Sequence, residues 1–189
     1  MKKILSLFLV FVLIFSFVGC GKKEEKTDDN GLDIEYYAKL GKIPECEFKI
    51  GDSVASIEER YAQNQEAENE ADDHAHDIYE VIEGERTVMI DCGTLGYYYV
   101  KEKQANGISY IVCYDGAFGF RNGELVTDVK DALKGIDLVE ENINLENVFF
   151  MQGATGIVLK AQFDKHTLMF VFQDNALSAT ALYLTEDWT

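Results

Sequence analysis

The chain has 189 residues, 17 basic against 34 acidic, for a formal net charge of −17 with its three histidines neutral. Such a surface repels phosphate backbones and anionic headgroups, which argues against nucleic-acid binding and against electrostatic docking on a membrane. Apolar residues make up 47% and aromatics 12%, enough for a packed core and too many for a chain that stays unfolded.

Lys2 and Lys3 precede an apolar run from Ile4 to Val18, which is short for a bilayer-spanning helix and has the layout of a secretory signal. Phe17-Val18-Gly19-Cys20 resembles a bacterial lipobox, with phenylalanine where leucine is more usual. That resemblance implies cleavage after Gly19 and a diacylglyceryl group on Cys20, making residues 1–19 a lipoprotein signal. Removing them leaves 15 basic and 34 acidic residues, net −19, so the lipid and not the protein body would hold the membrane. Residues 20–30 read as a lipidated, solvated tether, and 31–189 as one α+β domain.

Leu32 to Leu40 has helical spacing and stops at Gly41. After Pro44, Glu45 to Ile50 alternates into Gly51-Asp52-Ser53, where Asp52 or Ser53 is placed to cap a helix bearing Val54, Ile57 and Tyr61 on one stripe. Gln63 to Asp77 is polar and acidic, without an apolar stripe. Tyr79–Cys92, Tyr97–Lys101 and Ile108–Tyr114 are strand-like, and Asp115-Gly116 and Asn122-Gly123 are hairpin signals. Thr127 is placed to cap a second helix with Val129, Ala132 and Leu133 inward and Gly135 at its end. Ile157–Phe163, Thr167–Gln173 and Ser178–Leu184 follow as strands, turned by Asp164-Lys165 and Asp174-Asn175. Leu168, Phe170 and Phe172 share one face of the middle strand, Met169 and Val171 the other. The expected fold is therefore an antiparallel sheet with short helices on one face, read as two helix-plus-meander half-units, 31–124 and 125–189.

The string Lys39–Asp52 (KLGKIPECEFKIGD) resembles the YjgB-like lipoproteins of Gram-positive bacteria, in which a similar cysteine-glutamate-phenylalanine pattern leads into a short helix. Ala117–Gly123 looks like that family's phenylalanine-glycine-phenylalanine turn, and Leu168–Phe172 like its late strand; the similarity runs from about residue 38 to 184. The acidic stretch 63–77 and the loop around Gly135 depart from the pattern. The family has no assigned function. In outline it is similar to the tandem helix-plus-four-strand fold of β-lactamase-inhibitor proteins and SmpA-type envelope lipoproteins, which implies a concave sheet offered to a partner protein.

Chemistry-bearing residues are few. Gly51-Asp52-Ser53 has the letters of an esterase serine block, but a triad needs a base and an oxyanion donor, and helix capping accounts for both side chains. Asp72, Asp73, His74, His76 and Asp77 are the one cluster with the donor types of a zinc or copper site; a solvated acidic loop is the simpler reading. His166, in an expected turn, is given no role. Cys46, Cys92 and Cys113 fit either a Cys92–Cys113 disulfide with one free thiol or three reduced thiols. No enzyme constellation and no cofactor are expected. The leading expectation is a lipid-anchored, extracytoplasmic, non-enzymatic interaction module that contacts an envelope or extracellular protein through Tyr98, Tyr110 and Phe118 on an aromatic sheet face. Metal binding by residues 72–77 and a cell-envelope hydrolase are the alternatives.

Overall fold

The computed structural model describes residues 33–68, 80–144 and 155–187, so Cys20 and the Asp72–Asp77 cluster lie outside the described residues. Among the described residues three α-helices accompany the sheet: α1 (Ile34–Lys39), α2 (Val54–Glu68) and α3 (Val126–Ala132). The strands are β1 (Glu80–Glu83), β2 (Thr87–Asp91), β3 (Leu95–Val100), β4 (Tyr110–Cys113), β5 (Val139–Asn144), β6 (Thr155–Phe163), β7 (His166–Gln173) and β8 (Ala176–Leu184). They form one antiparallel sheet in the order β1-β2-β3-β4-β8-β7-β6-β5, which makes the chain α+β. Strands β1–β4 and β5–β8 are each consecutive meanders, and β4 against β8 is the seam between them.

Local chemistry sets the element ends. Asp33 caps α1, its Oδ1 accepting from the Tyr36 N–H at 2.9 Å, and Gly41 leaves the helix with φ +69°. Ser53 Oγ accepts from the Ser56 N–H at 3.1 Å at the start of α2, while Asp52 closes the preceding turn by accepting from Lys49 N–H at 2.9 Å. Thr127 does not cap α3; that helix begins one residue earlier, and its Val126 N–H is taken by the Asn175 carbonyl at 3.0 Å. The backbone of the β7–β8 turn thus does the work of a capping side chain. In that turn Asp174 and Asn175 both sit at positive φ, 52° and 65°, the backbone of a tight two-residue hairpin.

Three further expectations are corrected. The single strand 79–92 is a hairpin, broken at Gly84, whose N–H donates to the Thr87 carbonyl at 2.9 Å. Asp115-Gly116 and Asn122-Gly123 do not join strands; they pinch a loop closed by Asn122 N–H to the Asp115 carbonyl at 3.0 Å. Gly116 is required there, because a Cβ would stand 2.2 Å from the Phe120 carbonyl oxygen. His166 lies in β7 and is buried, the turn before it being Asp164-Lys165.

Alternation along the strands builds two apolar layers. The larger holds the buried residues of all three described helices (Ile34, Ala38, Val54, Ile57, Val129) against Ile90, Tyr97, Ile111, Leu168, Phe170, Phe172 and Leu182. The smaller consists of sheet residues: Tyr98, Val100, Tyr110, Val112, Val158, Met169, Val171, Ala179, Ala181 and Tyr183. β7 therefore splits as its pattern predicts, Leu168, Phe170 and Phe172 to one layer and Met169 and Val171 to the other. Phe170 is fully buried and meets Phe120 edge-on at 5.4 Å between ring centroids. Phe170→Ala is expected to cost about 3–5 kcal/mol, read as a lowered urea midpoint at unchanged slope.

Candidate functional site

The register lines up a row of side chains across the smaller layer. Met89 opposes Tyr98, Tyr98 opposes Tyr110, Tyr110 opposes Tyr183, and Tyr183 opposes Thr167. Tyr110 is held between its neighbours, stacked on Tyr183 at 5.8 Å and edge-on to Tyr98 at 6.5 Å. The hydroxyls are used internally. Tyr98 and Tyr114 share a hydrogen bond of 3.1 Å, and Tyr110 donates to the Asp187 backbone carbonyl. At the far end Thr167 Oγ1 donates to Gln162 at 2.9 Å and lies 2.8 Å from Thr185 Oγ1. Asp187 also pairs with Lys103, tying the 3-10 turn Thr185–Asp187 to the 3-10 segment Lys101–Asn106 after β3.

Burial raises the phenols of Tyr98 and Tyr110 well above their ordinary value, and that of Tyr183 to about 12. These groups stay protonated and offer no nucleophile or base near neutrality. Tyr98 and Tyr110 are each only 3% exposed, and Phe118 is fully buried in the other layer. The three expected contact residues consequently do not form one exposed patch. Phe118 changes sides because it sits not in a strand but in the pinched loop, at φ 57°.

The exposed end of the row is at β1. Ile82 opposes Met89 and extends the tyrosine row; Val81 opposes Ile90 and extends the helix-side row through Tyr97 and Ile111. Both are exposed, Val81 42% and Ile82 43%. Among the described residues no strand pairs with the outer edge of β1. The opposite edge, β5, is guarded by ion pairs: Lys160 to Glu141 at 2.7 Å, and Lys130 to Glu140. On β1, among the described residues, Glu83 pairs with Lys101 at 3.2 Å. Sequence reading missed this edge because residues 79–92 look like one long internal strand; the signal present was an apolar pair flanked by Glu80 and Glu83.

The remaining candidates are quickly placed. Ser53 and Asp52 serve the start of α2 and the turn before it. A shallow depression of about 170 Å³, lined by Asn142, Thr155, Ile157, Phe172, Asp174 and Asn175, is smaller than the cavities that enclose drug-sized ligands. Among the described residues no group of three or more His, Cys, Asp or Glu is placed to hold a metal, and no helix is long and apolar enough to cross a membrane. No family model, curated protein or solved structure matches the chain.

His166 stands against the carbonyl end of α1 and under Gly41, where a Cβ would come within 2.8 Å of its Nε2. Burial, aided by Lys165, lowers its pKa below the ordinary value, outweighing the pull of the Lys39 and Ala38 carbonyls and of Asp164. The unfolded chain therefore takes the proton first. This contribution to stability is whole above the unfolded pKa of about 6.5 and is lost as pH falls from there toward the lowered folded value. Urea titrations at pH 7.5 and 5.0 should show wild type losing more stability than His166→Gln. Equal losses would refute the assignment.

Proposed function

We propose that the protein is a lipid-anchored extracytoplasmic lipoprotein, attached through Cys20, that acts as a non-enzymatic interaction module by accepting a partner's strand on the open edge of β1. The observation that carries this reading is the combination of a strand edge unpaired among the described residues with Val81 and Ile82, each exposed and each ending an apolar row on its own face. A strand added there would gain main-chain hydrogen bonds and two apolar neighbours at once, the usual mode of strand addition. The net charge of −17 favours an extended segment rich in Lys and Arg, from an envelope or extracellular protein. On this reading 31–124 and 125–189 are fused half-units, the first with α1, α2 and the β1–β4 meander and the second with α3 and the β5–β8 meander, in keeping with the likeness to YjgB-like lipoproteins. The tyrosine row then stiffens the sheet behind the edge and does not itself touch the partner.

The double variant Val81→Glu/Ile82→Glu changes exposed positions only, so its melting temperature should stay close to wild type. A photo-crosslinking residue at position 82 should trap a discrete adduct in the native envelope, whereas one at position 139 on β5 should not. An adduct pattern that is the same at both positions, or an adduct at 82 that survives Val81→Glu, would sink the edge reading. The anchor is tested separately: Cys20→Ala should abolish incorporation of labelled palmitate and release the protein from the membrane fraction.

A further inference from the structure

Two thiols far apart in sequence meet inside the larger layer. Cys46 Sγ and Cys113 Sγ are 3.4 Å apart, both buried, and stand 67 positions apart in the chain. Cys113 ends β4, fixed between Leu95 of β3 and Thr180 of β8. Cys46 is held as firmly, by a turn in which its N–H donates to the Ile43 carbonyl at 3.0 Å. Its neighbours are tied down on either side: Glu45 Oε1 accepts from the Gly119 N–H at 3.1 Å, and Glu47 takes Arg60 Nε at 3.0 Å. A disulfide brings its sulfurs to about 2.0 Å, so the two need approach by little more than an ångström. Cys92, the partner expected from the strand pattern, instead directs its Sγ at the Ile90 carbonyl, 3.9 Å away.

We propose that Cys46 and Cys113 are joined by an intramolecular disulfide that staples the loop between α1 and α2 to the end of β4, with Cys92 staying reduced. The bond forms by thiol–disulfide exchange with a disulfide-bearing oxidant, a thiol oxidoreductase or a small-molecule disulfide. One cysteine thiolate attacks the oxidant's S–S bond and expels the first oxidant thiol; the second displaces the other. The two cysteines give up two electrons to the oxidant's bond, and their two protons pass to the released thiols. The hydrogen bond with Cys46, together with burial, raises the Cys113 thiol far above its ordinary value once folded, so exchange belongs to the chain before its core closes. The inference rests on the extracytoplasmic reading only for where the oxidant is met.

The test uses the full chain, reduced and denatured, then refolded in mild detergent with glutathione and glutathione disulfide. Free thiols are alkylated, the protein is digested, and linked peptides are identified by mass spectrometry. Most Cys46 should be recovered joined to Cys113, with Cys92 alkylated. Alkylation of both Cys46 and Cys113, or a link from Cys113 to Cys92, overturns the proposal. Reductant should lower the melting temperature of the oxidised wild type by roughly 5–10 °C. It should not move that of Cys46→Ser or Cys113→Ser. If those variants fail to fold, the peptide map of the wild type decides alone. Because the refolding is done outside the cell, a failed link leaves membrane attachment standing, and a failed palmitate label leaves the link standing.

Discussion

The sheet is continuous because β4 pairs with β8. Four registered pairs, Tyr110 with Tyr183, Ile111 with Leu182, Val112 with Ala181 and Cys113 with Thr180, join residues about seventy positions apart in the chain. Each of these residues is buried, and they alternate between the two apolar layers, so the seam is core on both faces. Without it each meander would present a long apolar edge strand to water, the arrangement that invites aggregation. The helices depend on the same seam. The Gly51 N–H donates to the Ile108 carbonyl at 2.9 Å, the Ile108 N–H to the Asp52 carbonyl at 3.0 Å, and these bonds lead from the start of α2 straight into β4. Gly107 is what allows the approach, since a Cβ there would lie 2.3 Å from the Asp52 carbonyl oxygen.

The tyrosine row illustrates how a surface that looks like a recognition face can be consumed by folding. Three phenols in register across β3, β4 and β8 bring three hydroxyls into a layer that is otherwise aliphatic, and each buried hydroxyl left alone would be costly. Tyr98 finds Tyr114 and Tyr110 finds the backbone of Asp187, while Tyr183 ends beside the Thr167, Gln162 and Thr185 cluster. With those groups answered inside the molecule, the tyrosine row belongs to the core and not to an exposed face.

The parts of this fold legible in the sequence are those whose burial imposes a rhythm. β6, β7 and β8 stand out because alternating large apolar residues are separated by turns, Asp164-Lys165 and Asp174-Asn175, that need left-handed backbone. β5 was not read at all: Val139-Glu140-Glu141-Asn142-Ile143-Asn144 is an edge strand, mostly exposed, and carries little periodic constraint. The start of α3 is not legible locally, because the Val126 N–H is taken by a main-chain carbonyl from Asn175, about fifty residues away. The site suffered most for the same reason. Tyr98 and Tyr110 were rightly placed on adjoining strands, but their exposure depends on what the packed sheet covers, and the proximity of Cys46 to Cys113 exists only once the loop after α1 has docked on the sheet.

The strand order carries a consequence for biosynthesis. β8 is the last described strand to leave the ribosome, yet it occupies an interior position with β4 on one side and β7 on the other. Until it arrives, the earlier strands can form only two separate sheets, each with an unfinished margin. Assembly of the continuous sheet is therefore held back until β8 has emerged. A chain that stops before Ala176 deprives β4 and β7 of their common neighbour, and the two meanders then have nothing to join them.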